Sequence, residues 1–132
     1  MLDWVAKDLG ASFVGLNPLH AIPNRQPYNT SPYLPACTFY KNPIYLDLEA
    51  IADFSATPCA RRLLSRKSIQ SEIVALRGTE FVEYERVFHL KKRFLRLLFR
   101  TFLREYRAKT PRALEFEKYV EEEGDLGGRV VI

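Results

Sequence analysis

Phe13-Val14-Gly15-Leu16-Asn17-Pro18-Leu19 precedes, by a short polar stretch, Asn29-Thr30-Ser31-Pro32-Tyr33-Leu34-Pro35-Ala36-Cys37-Thr38-Phe39-Tyr40-Lys41-Asn42-Pro43. The first segment is a short apolar run with the composition of a buried strand, and Pro18 prevents its easy continuation. The second is long, aromatic and proline-rich, and it leads into Ile44-Tyr45-Leu46-Asp47-Leu48, which reads as extended. Strand, long loop and extended segment is the order in which an α/β barrel displays a binding surface beyond the carboxyl end of a strand. Loops this long without regular structure are uncommon in compact domains and are usually functional.

Upstream of this stretch, Leu2, Val5, Ala6 and Leu9 recur at helical spacing, and Gly10 suits the position just past a helix end. A strand over 11–16 would then follow the helix after a one- or two-residue turn. A parallel strand without a neighbour cannot satisfy its backbone groups. The segment therefore reads as a slice of a larger sheet. Downstream the pattern turns helical. A short helix is expected to begin within 48–54, and Thr57-Pro58 to open another, with proline at its first position. A further helix spans 68–76, ending at Gly78. The longest periodic stretch is 79–109, where Phe81, Tyr84, Phe88, Leu95, Leu98, Phe102 and Tyr106 form one apolar stripe. Thr110-Pro111 breaks it and opens a last helix that runs to Glu123.

Composition narrows the classes. The chain has 132 residues, 47% of them hydrophobic and 13% aromatic, enough to supply a core and too apolar for intrinsic disorder. No apolar run approaches the roughly 20 residues needed to cross a bilayer. The start lacks the basic-then-apolar layout of a signal peptide. Cys37 and Cys59 have neither metal-ligand spacing nor the numbers for a disulfide framework, so a reduced, cytoplasmic setting is expected. The net charge of +4 is uneven, since 1–60 carry five acids and three bases and 61–132 carry eleven acids and seventeen bases.

Gly10 to Leu19, then Ser31-Pro32-Tyr33, then Asn42-Pro43-Ile44-Tyr45-Leu46-Asp47-Leu48 together resemble the 4-α-glucanotransferases, the amylomaltase or disproportionating enzymes of glycoside hydrolase family 77. The order and approximate spacing of all three motifs match, and the later Tyr84-Glu85-Arg86-Val87, Leu90 to Leu95 and Phe116 to Val120 resemble the helical insertion that follows in the family. The resemblance implies an α/β fold, a (β/α)8 TIM barrel, of which this chain is expected to be an N-terminal-side fragment. Residues 1–54 would supply one or two strands with a long substrate loop, and 55–132 an all-helical insertion. It implies transfer of α-1,4-glucan segments between maltooligosaccharides through a covalent glycosyl intermediate, with no cofactor and no metal. Retaining chemistry of this kind needs two carboxyl groups about 5 Å apart. The resemblance puts them on later strands, so no catalytic residue is expected in this chain and the remainder of the barrel is required.

The expected substrate-binding residues are Tyr33, Ser31, Tyr28 and Asn42. The resemblance places Tyr33 beneath the glucose next to the scissile bond, where an aromatic face stacks on the apolar face of a pyranose. Tyr28 keeps the five-residue spacing to Tyr33, although the glycines that flank it in common bacterial members are missing, and it would line an outer glucan groove. Ser31 and Asn42 would either satisfy local backbone in turns or bond sugar hydroxyls. Asp47 has no partner acid in sequence and reads as a structural anchor. His20 lacks a second histidine nearby and reads as a hydrogen-bonding loop residue.

Two other function classes stay in view. From Arg86 to Lys109 there are nine bases against the single acid Glu105, and Arg93, Arg96, Arg100, Arg104 and Arg107 stack along one helix face. Such a face suits a basic helical nucleic-acid-binding module, with salt-dependent affinity. A solvated face opposite an apolar stripe is charged for simpler reasons, however, and no nucleic-acid or membrane partner is expected. The third class is a non-catalytic maltooligosaccharide-binding protein.

Overall fold

The computed structural model describes residues 2–23 and 31–123, which fall into two compact units, Met1–Leu46 and Asp47–Ile132. The described residues are mostly helical, with one two-stranded sheet. Phe54 is buried in the core cluster of the second unit, with Leu48 and Ile51 packed against it.

The first unit opens with helix α1 (Leu2–Lys7). Gly10, at φ 63°, reverses the chain behind it, so that the Ala11 amide reaches back to the Val5 carbonyl at 3.2 Å. A side chain at that left-handed position would be strained. The strand expected over 11–16 does not form, and Phe13 and Leu16 are 87% and 58% exposed. Among the described residues no strand lies beside it. Strand composition does not make a strand where no neighbouring strand pairs its N–H and C=O groups.

Regular sheet appears elsewhere. β1 (His20–Ala21) pairs antiparallel with β2 (Cys37–Lys41), His20 opposite Lys41 and Ala21 opposite Cys37, with an irregularity between the two pairs. The stretch read as one long irregular loop therefore contains a strand, built on the β-favouring run Thr38-Phe39-Tyr40. The extended reading of 42–48 is corrected over Pro43–Tyr45, which form a 3-10 turn between Asn42 and Leu46, both extended. Asn42 explains it. Its Oδ1 accepts from the Ile44 amide at 3.1 Å, Pro43 supplies a preset φ, and the Tyr45 amide bonds the Asn42 carbonyl at 3.1 Å.

The second unit comprises α2 (Ala52–Ser55), α3 (Pro58–Leu64), α4 (Lys67–Arg77), α5 (Tyr84–Arg107) and α6 (Pro111–Glu123). Its core is Phe54, Ala60, Ile69, Leu90, Phe94 and Leu98. The buried line along α5 is Leu90, Phe94, Leu98 and Thr101, at steps of four, four and three. Only Leu98 belongs to the stripe expected from sequence. Phe81 lies before the helix and is 79% exposed, while Phe102 and Tyr106 turn to α6 and meet Phe116, Phe102 edge-on at 5.2 Å between centroids. Thus α5 is apolar on two adjacent faces, one for α2–α4 and one for α6, and a single stripe drawn through it averages the two.

Polar contacts tie the helices where the core is thin. Pro58 opens α3 as expected, but the Thr57 hydroxyl does not cap it. It donates to the Asp53 carbonyl at 2.7 Å and lies 2.8 Å from Thr101 Oγ1, so the Thr101 hydroxyl donates to it. Thr57→Val, which keeps the shape, is expected to cost about 1–2 kcal/mol in urea unfolding because Thr101 loses its acceptor in a buried site. Thr57→Ser should cost clearly less. Arg112 at the start of α6 forks onto Asp53 at 2.8 and 2.7 Å, approaches Glu105 at 3.4 Å and covers the Phe102 ring. The Asp53 hydrogen bonds outweigh desolvation and hold its guanidinium further in the charged form. Lys109 takes the left-handed turn between α5 and α6 at φ 52° and pairs with Glu117. The hydrogen bond from Lys109, with another from Tyr106, draws the Glu117 carboxyl below its usual range. Thr110 caps α6, its Oγ1 accepting from the Ala113 amide at 3.4 Å.

Candidate functional site

Ser31-Pro32-Tyr33-Leu34 is a tight turn, closed by the Leu34 amide on the Ser31 carbonyl at 3.2 Å, with proline at its second position. The Ser31 hydroxyl oxygen accepts from the Tyr33 amide at 3.3 Å. Tyr33 at the third position is thereby aimed outward, and it is 69% exposed. Its ring is nevertheless held at the far end, because the Tyr33 hydroxyl donates to Asn17 Oδ1 at 3.0 Å. A fixed aromatic face open to solvent is what a pyranose can stack against.

Asn17 was not among the residues expected from sequence. It is polar, sits between Leu16 and Pro18 at the end of an apolar run, and lies sixteen positions from Tyr33. Nothing in spacing alone couples the two. The only available signal was the single polar side chain closing the apolar run.

The other expected site residues divide. Ser31 joins Tyr33 through the turn. Asn42 is 2% exposed, its Oδ1 engaged by the Ile44 amide and its own amide on the Leu19 carbonyl at 2.9 Å, so it anchors the segment behind Asn17. Tyr28 lies outside the described residues. His20 is in β1, paired with Lys41. Asp47 Oδ1 accepts from the Glu49 amide at 3.1 Å, the local anchoring expected of it.

The helical unit carries a groove of ≈ 760 Å³ lined by Leu95, Phe99, Phe102, Phe116, Lys92 and Arg96. Asp53 and Glu105, the carboxylates that converge near it, share Arg112, which forks onto Asp53 and approaches Glu105 more loosely. On the basic face, Arg93 approaches Glu72 at 3.8 Å and Arg104 donates to Thr101 at 3.4 Å. Lys91 is shifted toward its neutral form by burial, against an opposing pull from Asp47. Among the described residues, no group of three metal-ligating side chains is found and no helix is long and apolar enough to cross a membrane.

The family described as 4-alpha-glucanotransferase matches this sequence over residues 1–126. The chain belongs to that family. A 4-alpha-glucanotransferase of Haemophilus influenzae is 32% identical over 117 residues, which cover 88% of this chain and 17% of that enzyme. Those of Mycobacterium bovis and Mycobacterium tuberculosis are each 41% identical over 61 residues, covering 42% of this chain and 8% of theirs. This 4-alpha-glucanotransferase family member thus spans under a fifth of the length of the relatives it matches.

Proposed function

We propose that this chain contributes a glucan-stacking surface to a 4-α-glucanotransferase, with Tyr33 as the platform. In this reading 1–54 are part of a (β/α)8 barrel and 55–132 a helical insertion. The complete enzyme, in the cytoplasm, moves α-1,4-glucan segments between maltooligosaccharides by retaining chemistry. The acid and nucleophile lie on polypeptide outside this chain, and the rest of the barrel is required for turnover. The observation that carries the reading is the Tyr33 ring, exposed on its face and tethered at its tip, in a chain whose family is described as 4-alpha-glucanotransferase. Ser31 acts by setting the turn, and Asn42 by fixing the segment that carries Asn17.

Maltoheptaose titrated into the chain, followed by nuclear magnetic resonance, tests the reading. Tyr33→Ala is expected to weaken binding up to about tenfold, the loss of one aromatic stacking contact. Unchanged affinity would remove Tyr33 from the site. Transfer or hydrolysis of maltotriose by the 132-residue chain itself would overturn the placement of the acids.

A further inference from the structure

We infer that Asn17 is a positioning residue for Tyr33, fixing the ring and consuming its hydroxyl proton so that glucose meets an aromatic face whose oxygen only accepts. The inference rests on the reading of Tyr33 as the glucan platform and adds to it the residue that orients the platform and the polarity of its edge.

Three observations carry it. Tyr33 is held at both ends, its amide on Ser31 Oγ at 3.3 Å and its hydroxyl on Asn17 Oδ1 at 3.0 Å. An exposed tyrosine with a free hydroxyl would sample several rotamers, and immobilising it on binding would weaken affinity. Asn17 is itself on a firm base. Pro18 restricts it to extended backbone, the Leu19 carbonyl takes the amide of buried Asn42 at 2.9 Å, and the sheet begins at His20. Finally, a phenol has one proton. Donated to Asn17, that proton is unavailable to a sugar, and the Tyr33 oxygen is left with acceptor capacity for a glucose hydroxyl.

The test is a double-mutant cycle on maltoheptaose affinity of the chain, with unfolding midpoints measured alongside. Asn17→Ala is expected to weaken binding by about threefold, because it lets the ring turn; Tyr33→Phe should weaken it at least as much, because it also removes the oxygen that accepts from glucose, and the pair together no more than Tyr33→Phe alone. Asn17→Asp, which keeps the acceptor, should bind within about twofold of the parent. A merely structural role would lower the midpoint in Asn17→Ala without this non-additivity and without rescue by aspartate. In ¹³C-tyrosine-labelled chain, the Tyr33 ring should gain fast motion in Asn17→Ala and not in Asn17→Asp. Independent, multiplying losses in the cycle, or Asn17→Ala binding as the parent while Tyr33→Ala is impaired, would overturn the inference alone. Unimpaired Tyr33→Ala would remove the glucan reading and this inference with it.

Discussion

Phe94→Ala is expected to lower the unfolding free energy of the chain by about 3–4 kcal/mol, through lost transfer energy and an unfilled cavity. Phe94 is 2% exposed, one turn from Leu90 and one from Leu98, and it packs in the cluster with Phe54, Ala60 and Ile69. These neighbours come from α2, α3, α4 and α5, so no single helix can close over the vacancy. Against a typical stability of roughly 5–15 kcal/mol this is a large fraction. Urea unfolding followed by helical circular dichroism measures it. Phe81→Ala is the control. That ring, although periodic with the helix in sequence, is outside α5 and exposed, and its removal should change stability by no more than about 0.5 kcal/mol. Equal effects at the two positions would show that the core is not where the structure puts it.

Arg112→Ala is expected to cost about 2–3 kcal/mol in the same measurement. The Asp53 side chain is 6% exposed and receives both prongs of the guanidinium, so removing Arg112 strands a carboxylate in a site with little water. The figure is kept below that of a wholly buried pair because Arg112 is itself 45% exposed and partly screened. Arg112→Lys keeps the charge without the fork and should lose about half as much. In an Asp53→Asn background, the cost of Arg112→Ala should fall to about 1 kcal/mol or less, since an amide tolerates the vacated space better than an ion. Full additivity of the two substitutions would mean that the pair contributes nothing by being a pair.

How far the sequence could be read depended on whether the deciding contact was local. Thr57-Pro58 and Thr110-Pro111 marked helix starts because proline presets φ and needs no amide there, and both helices begin at that proline. Gly10 marked a reversal and is left-handed. Asn42-Pro43 was half legible, because Asn42 is extended as a residue before proline should be, while its side chain folds onto the Ile44 amide and caps a 3-10 turn that the pattern did not specify. Residues 11–16 misled in another way. Strand composition was legible, but a strand also needs a neighbour, which no local pattern specifies. Along α5, the period of the apolar residues was legible, but which of two apolar faces met α2–α4 was decided by helices far along the chain. Tyr33 was picked out by resemblance, not by its surroundings, and its partner Asn17 is visible only once the chain is folded. Tyr28 lies outside the described residues, so its role stays with the sequence.

Both asparagines that brace this corner of the molecule, Asn17 and Asn42, are followed directly by proline. Spontaneous deamidation ordinarily proceeds when the next residue's backbone nitrogen attacks the side-chain amide and closes a succinimide. Pro18 and Pro43 have no N–H with which to do so. The polypeptide can therefore age, or be held warm at alkaline pH, without converting by that route either of the two amides that support the tyrosine.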